Sequence, residues 1–222
     1  MPERNFISYN NIISAYARRP DFGFYPVMIF KLMRDHCFFP NGATFVSLLQ
    51  SVYGIKGWVL GLRIHCVIVK FGLSFDFRVQ TALMGCYSSL GELKSANEVF
   101  SNIVTKDAYS WNCVITGHLK NNKLTESLAL FRSMVTSNVT PTEFTYSMVL
   151  NTCARLSDYA FGGLTHAHVI KSGVPVDLHL QNALIDMYSS CGESKSAFSV
   201  FLEIQNPDLV SWNSMMAGYA EN

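Results

Sequence analysis

A Ser-aromatic-Asn tripeptide occurs three times in this 222-residue chain, at residues 8–10, 110–112 and 211–213, with offsets of 102 and 101. An asparagine amide carries two N–H donors and a carbonyl acceptor, so Asn10, Asn112 and Asn213 could each recognise a flat polar edge. Asparagine is also a common helix cap, because its oxygen accepts orphan backbone N–H groups. Ser110 and Ser211 are themselves good caps, which would free the asparagines beside them. Recurrence in register favours recognition over capping.

Other constellations carry less. His166-Ala167-His168 suggests a metal site, but side chains two apart on a helix point about 200° away from each other and cannot share one ion. His65 stands where His166 stands one long repeat later, with no second histidine beside it. The six cysteines, Cys37, Cys66, Cys86, Cys113, Cys153 and Cys191, are 20 to 40 residues apart. Zinc sites use close pairs, so that two ligands from one turn reach the same ion. Free thiols packed as small apolar residues in a reducing compartment are the expected state. The chain has neither a phosphate-cradling glycine loop nor a nucleophile elbow. No enzyme, cofactor or metal is expected.

Composition sets the bounds. Apolar residues make up 49% of the chain and charged residues 15%, enough for a sizeable core and too apolar for disorder. The net charge of +1 excludes a nucleic-acid binder that relies on charge alone. Selectivity for such a ligand would come from base contacts, with a modest phosphate contribution. No run of 18 apolar residues is present, so no membrane-spanning helix is expected. Residues 1–11 resemble neither a signal peptide nor a transit peptide. Either the protein is untargeted or its natural N-terminus lies outside this sequence.

The elements that would position these residues follow from an internal repeat. Residues 82–103 recur as residues 183–204, with 13 of 22 aligned residues identical at an offset of 101. His65, Lys70, Gly72 and Asp76 likewise become His166, Lys171, Gly173 and Asp177. Each long repeat divides into three units, and each unit shows two helical patterns joined by a polar turn. In residues 108–142, Trp111, Val114, Ile115 and Leu119 share one helix face, and Asn121-Asn122 form the turn. Leu124, Leu128, Phe131 and Met134 mark a second helix, and Pro141 ends the unit. In residues 178–208, Leu184, Met187 and Tyr188 lie on the first helix, Cys191-Gly192 stop it, and Ala197, Val200 and Phe201 lie on the second. Period-two strand patterns are absent. Trp111 and Trp212 are expected in the core, and Lys70 and Lys171 at helix C-termini complement the helix dipole.

Units opening (Val/Ile)-Ser-(Trp/Tyr)-Asn, units containing His-x5-Lys-x-Gly, and units with Asn-Ala-Leu-Ile-Asp-Met-Tyr-Ser-Ser-Cys-Gly together resemble plant pentatricopeptide repeat proteins. More narrowly they resemble the subfamily in which P, L and S repeats of 35, 35 and 31 residues alternate. The resemblance covers essentially the whole chain. It implies an all-α fold, a right-handed superhelical α-solenoid of helix-turn-helix repeats, in which each unit buries its apolar face on its neighbours. The implied units are an S-type tail at 1–5, P-type 6–41, L-type 42–76 and S-type 77–107. The next cycle is P-type 108–142, L-type 143–177 and S-type 178–208, and a P-type unit opens at 209 and stops at 222. The array would then be cut at both ends and prone to self-association through exposed repeat ends.

The resemblance also implies single-stranded organellar RNA as the partner, with one base per repeat read jointly by a unit's fifth and last residues. Asn, Thr and Ser suit that task by their fixed donors and acceptors. The implied readers are Asn10 with Asn41, Thr81 with Asp107, Asn112 with Thr142, Asn182 with Asp208, and Asn213. Family rules give C to Asn–Asn, U to Asn–Asp and G to Thr–Asp, while Asn112 with Thr142 gives only a pyrimidine. The L-type units place Val46 with Asp76 and Ser147 with Asp177 there, and are assigned no base. The expected 5′-to-3′ preference is C/U, any, G, C/U, any, U, C/U. Second residues would flank the bases: Ile7, Ala43, Arg78, Tyr109, Phe144, His179 and Val210, with Ala43 offering little. Stacking on aromatic or guanidinium faces is worth about 1–3 kcal/mol per base.

Some relatives end in a deaminase-like domain with a His-x-Glu motif and a Cys-x-x-Cys pair, and neither motif occurs here. The expected role is organellar C-to-U editing or another RNA-processing step, in a mitochondrion or chloroplast, with RNA-editing proteins as further partners. The rival is a protein-binding scaffold of the tetratricopeptide kind, whose uniform 34-residue period does not fit this cycle.

Overall fold

A computed structural model describes residues 5–19, 24–52 and 54–221. Residues 1–4, most of the S-type tail expected at 1–5, and Asn222 lie outside the described residues. The described residues form thirteen helices and no strand. Clustering of the chain gives two units, 1–106 and 107–222, each described by itself.

In the first unit, α1 (Phe6–Ala17) pairs with α2 (Tyr25–Asp35), α3 (Gly42–Gln50) with α4 (Gly54–Lys70), and α5 (Phe77–Ser89) with α6 (Leu93–Ser101). In the second, α7 (Ala108–Lys120) pairs with α8 (Leu124–Thr136), α9 (Glu143–Leu156) with α10 (Tyr159–Ser172), and α11 (Leu178–Ser190) with α12 (Ser194–Leu202). The second unit closes with α13 (Leu209–Glu221). Within each unit the first helices of successive hairpins pack side by side: α1 on α3 and α3 on α5, then α7 on α9, α9 on α11 and α11 on α13. The fold is an all-α solenoid of stacked hairpins.

Local chemistry makes the hairpins. Gly91, Gly192 and Asn122 adopt left-handed φ values of 80°, 82° and 58° just beyond α5, α11 and α7. The backbone N–H of the next residue then reaches back to the helix, as in Glu92 N to Tyr87 O at 2.9 Å and Glu193 N to Tyr188 O at 2.9 Å. Such a bond satisfies a carbonyl the helix end would leave open, and glycine accepts the conformation without a Cβ penalty. Ser157, at φ 50° beyond α9, makes the same turn with a side chain attached.

Helix starts are set by side-chain caps. Asn5, Asn41, Asp76, Asp107, Thr142 and Asp177 each accept a backbone N–H from the first turn of α1, α3, α5, α7, α9 and α11. This corrects the expectation for Ser110 and Ser211. Ser110 N donates to Asp107 Oδ1 at 2.9 Å and Ser211 N to Asp208 Oδ1 at 2.8 Å, so the aspartates cap and the serines occupy the third helical position.

Burial follows the apolar stripes. Trp111, Val114, Ile115, Leu128, Phe131, Met134, Leu184, Met187, Tyr188, Ala197, Val200 and Phe201 are all buried. Trp212 is not. Its indole is 51% exposed while meeting Phe201 edge-on at 4.7 Å, against 5% exposure for Trp111. The cysteines also divide. All six are free, with Cys86 and Cys153 buried but Cys37 and Cys66 exposed, so not every thiol is packed as a small apolar residue.

Candidate functional site

The residues expected to act in pairs meet where one hairpin hands over to the next. Asn10 lies inside α1, and its Nδ2 donates to Oδ1 of Asn41, the cap of α3, at 3.3 Å. Asn112 lies inside α7, and its Nδ2 donates to Oγ1 of Thr142, the cap of α9, at 3.5 Å. Asn182 lies inside α11, and its Nδ2 donates to Oδ1 of Asp208 just before α13, at 3.4 Å. None of these asparagines is a cap. Each last-position residue does two things at once: it caps its helix and takes an amide proton from the previous hairpin.

Hydroxyl groups complete these junctions. Thr44 Oγ1 donates to Asn10 Oδ1 at 2.6 Å, and Thr145 Oγ1 donates to Asn112 Oδ1 at 2.8 Å. Both threonines also form capping boxes, accepting the backbone N–H of Asn41 and Thr142 at 3.1 and 3.0 Å. Sequence reasoning passed over Thr44 and Thr145. A hydroxyl residue three places beyond the cap is the signal that would have found them. At the Asn182 junction, Ser211 Oγ donates instead to Asp208 Oδ1 at 2.9 Å. Donation from the backbone and hydroxyl of Ser211 holds the Asp208 carboxyl below the usual range.

Thr81 differs. Its hydroxyl turns back onto its own helix, donating to the carbonyls of Phe77 and Arg78 at 3.1 and 3.0 Å. Its expected partner Asp107 caps α7 in the second unit. Asn213 is exposed on α13. In the L-type positions, Val46 is half-buried, and Ser147 is buried with no hydrogen-bond partner for its Oγ.

All seven second-position residues reach solvent. Ile7, Tyr109, Phe144 and Val210 are between 53% and 60% exposed, and Arg78 and His179 are exposed as well. Ala43 is exposed but small. The Cys113 thiol and partial burial raise the Tyr109 phenol above its usual value, so it stays neutral. Neutral rings held in solvent are suited to stacking.

The paired histidines are divided between neighbours. His166 Nδ1 shares a hydrogen bond with Tyr188 Oη on α11 at 2.9 Å, and His168 Nδ1 one with Tyr146 Oη on α9 at 2.6 Å. Among the described residues, no group of three His, Cys, Asp or Glu is placed to hold a metal ion.

A row of stacked hairpins with matched polar side chains at three junctions defines a helical-repeat protein. The PPR repeat family profile matches residues 106–155, and the PPR repeat profile matches residues 81–107, 182–206 and 210–222. The chain belongs to the pentatricopeptide repeat family. It is 35% identical over 222 residues to a mitochondrial pentatricopeptide repeat-containing protein of Arabidopsis thaliana, covering 100% of this chain and 34% of that protein. A chloroplastic relative from the same plant is 32% identical, with 100% of this chain and 26% of that protein covered. The chain therefore spans between about a quarter and a third of these relatives' length. Among solved structures, the pentatricopeptide repeat protein PPR10 in complex with an 18-nt psaJ RNA element superposes with a TM-score of 0.78 at 20% identity. That superposition covers 99% of this chain and 33% of PPR10. The structure of PPR10 from maize gives a TM-score of 0.63 at 20% identity over 97% of this chain and 37% of that one. These two likenesses are of fold.

Proposed function

We propose that this repeat array binds single-stranded RNA sequence-selectively, reading one base per P- or S-type repeat, within an organellar protein of C-to-U editing or RNA processing. The carrying observation is the junction pairing: Asn10 with Asn41, Asn112 with Thr142, and Asn182 with Asp208 touch in equivalent register. Thr81 with Asp107 supplies the remaining complete reader and Asn213 an incomplete one. Ile7, Arg78, Tyr109, Phe144, His179 and Val210 flank the bases. Mutual fixing of two side chains pre-organises a polar edge for one base, which lowers the ordering cost of binding. RNA bound to PPR10 and the organellar names of the Arabidopsis relatives support the reading.

The helix starts at residues 6, 42, 77, 108, 143, 178 and 209 fit the proposed P–L–S division, with units beginning at those positions. The base preference is C/U, any, G, C/U, any, U, C/U from 5′ to 3′. The array is a binding scaffold and not a catalyst, so editing would need protein partners or another domain. Exposed Leu202 on α12 and Trp212, Met216 and Tyr219 on α13 supply an apolar face for self-association.

Fluorescence anisotropy with an RNA carrying this register and a scrambled control, at two salt concentrations, tests the reading. Selective binding with a shallow salt dependence is expected, given a net charge of +1. Equal affinity for both RNAs, or no binding, would favour a protein-binding scaffold. Replacing the G with a pyrimidine without effect would overturn the register.

A further inference from the structure

The third residue of each unit varies with the type of the unit before it. It is Thr44 and Thr145 after the P-type units, Ser110 and Ser211 after the S-type units, and Val79 and Leu180 after the L-type units. The structure gives this position a job at the P-type junctions. Thr44 is fully buried, its oxygen accepts the Asn41 backbone N–H, and its hydroxyl donates to Asn10 Oδ1 at 2.6 Å, the shorter of two acceptor contacts, with Asn41 Oδ1 at 3.1 Å. Asn41 Oδ1 accepts the Thr44 N–H at 3.1 Å, so the atom facing Asn10 is an oxygen and must meet an N–H. The sequence of donors and acceptors thereby fixes which way round the Asn10 amide sits. Its carbonyl is engaged and one N–H remains uncommitted. Thr145 holds Asn112 the same way, at 2.8 Å.

The Asn182 junction lacks this lock. Ser211 gives its proton to the Asp208 carboxylate at 2.9 Å, and the buried Oδ1 of Asn182 has no hydrogen-bond partner. Ser147, the L-type residue in the same position, also has a partnerless buried Oγ, and the unit after it has Leu180 as its third residue.

We propose that Thr44 and Thr145 are specificity-determining positioning residues, whose hydroxyls engage the carbonyls of Asn10 and Asn112 so that each amide offers only its remaining N–H, and thereby select cytosine over uracil. Cytosine presents an unprotonated ring N3 to such a donor, whereas uracil presents an N–H that opposes it. For Asn112 with Thr142 this narrows the expectation from a pyrimidine to C. The proposal rests on the RNA reading above.

The test uses the 222-residue chain and RNAs of the stated register with C or U opposite Asn10, and separately C or U opposite Asn182 as an internal reference. The wild type is expected to prefer C opposite Asn10 by about three- to tenfold, the effect of one neutral hydrogen bond. Thr44→Val keeps the shape without the hydroxyl, and should bring that ratio near one while leaving the Asn182 ratio unchanged. Thr44→Ser should restore it. If Thr44→Val does not melt cooperatively, Thr145→Val with C or U opposite Asn112 makes the same test. A C preference that survives loss of the hydroxyl, or ratios that fall equally at both bases, would overturn the positioning role and leave the RNA reading standing. A wild type that does not separate the RNA from its scramble overturns both.

Discussion

Two adjacent glycines in α10 should respond to the same substitution with opposite signs. Gly162 is buried against α11, and a Cβ there would overlap Met187 Sδ and lie 2.9 Å from its Cγ and 3.0 Å from its Cε. Met187 is itself fully buried, so the thioether must shift against packed neighbours and not into solvent. A Cβ on Gly163 meets nothing within 4 Å. Both changes to alanine gain about 1 kcal/mol of helix propensity, part of it through the unfolded chain. At Gly162 overpacking opposes that gain by about 1–3 kcal/mol, and displacement of three methionine atoms places it in the upper half of that range. The net expectation is a loss of about 1–2 kcal/mol for Gly162→Ala and a gain of up to about 1 kcal/mol for Gly163→Ala. Urea unfolding followed by circular dichroism would measure both, and their difference cancels the common propensity contribution. A Gly162→Ala chain as stable as the wild type would refute the close approach of α10 to α11.

Removing a base reader should weaken binding locally: Asn112→Ala is expected to lose RNA affinity by about three- to tenfold and base discrimination opposite that unit alone, measured by anisotropy. Thiol labelling of the native protein at neutral pH should modify Cys37 and Cys66 first, since both are exposed. Cys86 and Cys153 should stay silent until denaturant is added, because burial pushes their thiols up to about 11 and about 12 and hides them from reagent. Burial lowers His65 and His166 below the usual 6.5. Their folded-state values lie under their unfolded ones, so the stability they contribute is present above pH 6.5 and is lost as pH falls through the folded values. Melting temperatures recorded from pH 7.5 down to 5 should therefore decline, and less steeply in a His65→Phe, His166→Phe chain. An identical pH profile for that chain would contradict the assignment.

The layout of helices was legible because two signals coincide, an apolar face at helical spacing and a turn residue at each end. Gly91, Gly192 and Asn122 took the left-handed turn that their residue types allow. The cap residues were less legible. Asp107 and Ser110 lie three apart and either suits either end of a first turn, and apolar periodicity places a helix start only to within a residue or two. Burial of the tryptophans failed for a different reason. Trp111 and Trp212 occupy the same place in their repeats, but burial belongs to what packs against a side chain and not to its register. Trp212 lies on α13, whose described contacts are with α11 and α12, and half its surface remains open.

The pairing of Asn10 with Asn41, Asn112 with Thr142 and Asn182 with Asp208 was implied by the family resemblance, which couples the fifth and last residues of a unit, and these side chains do touch. What the resemblance could not supply is the direction of each hydrogen bond. A hydroxyl has one proton, and its destination depends on which acceptor is stronger. Beside Asn41 and Thr142 the threonine proton goes to the asparagine carbonyl, whereas beside Asp208 the serine proton goes to a carboxylate, because a charge-assisted hydrogen bond outcompetes a neutral one. Where the last residue is a carboxylate, the hydroxyl proton is held there, and the carbonyl of the previous hairpin's asparagine is left with no hydrogen-bond partner. At all three junctions the asparagine Nδ2 faces the last residue, so what differs is whether its Oδ1 is held by a hydroxyl, and that difference resides in a residue that need not touch the ligand.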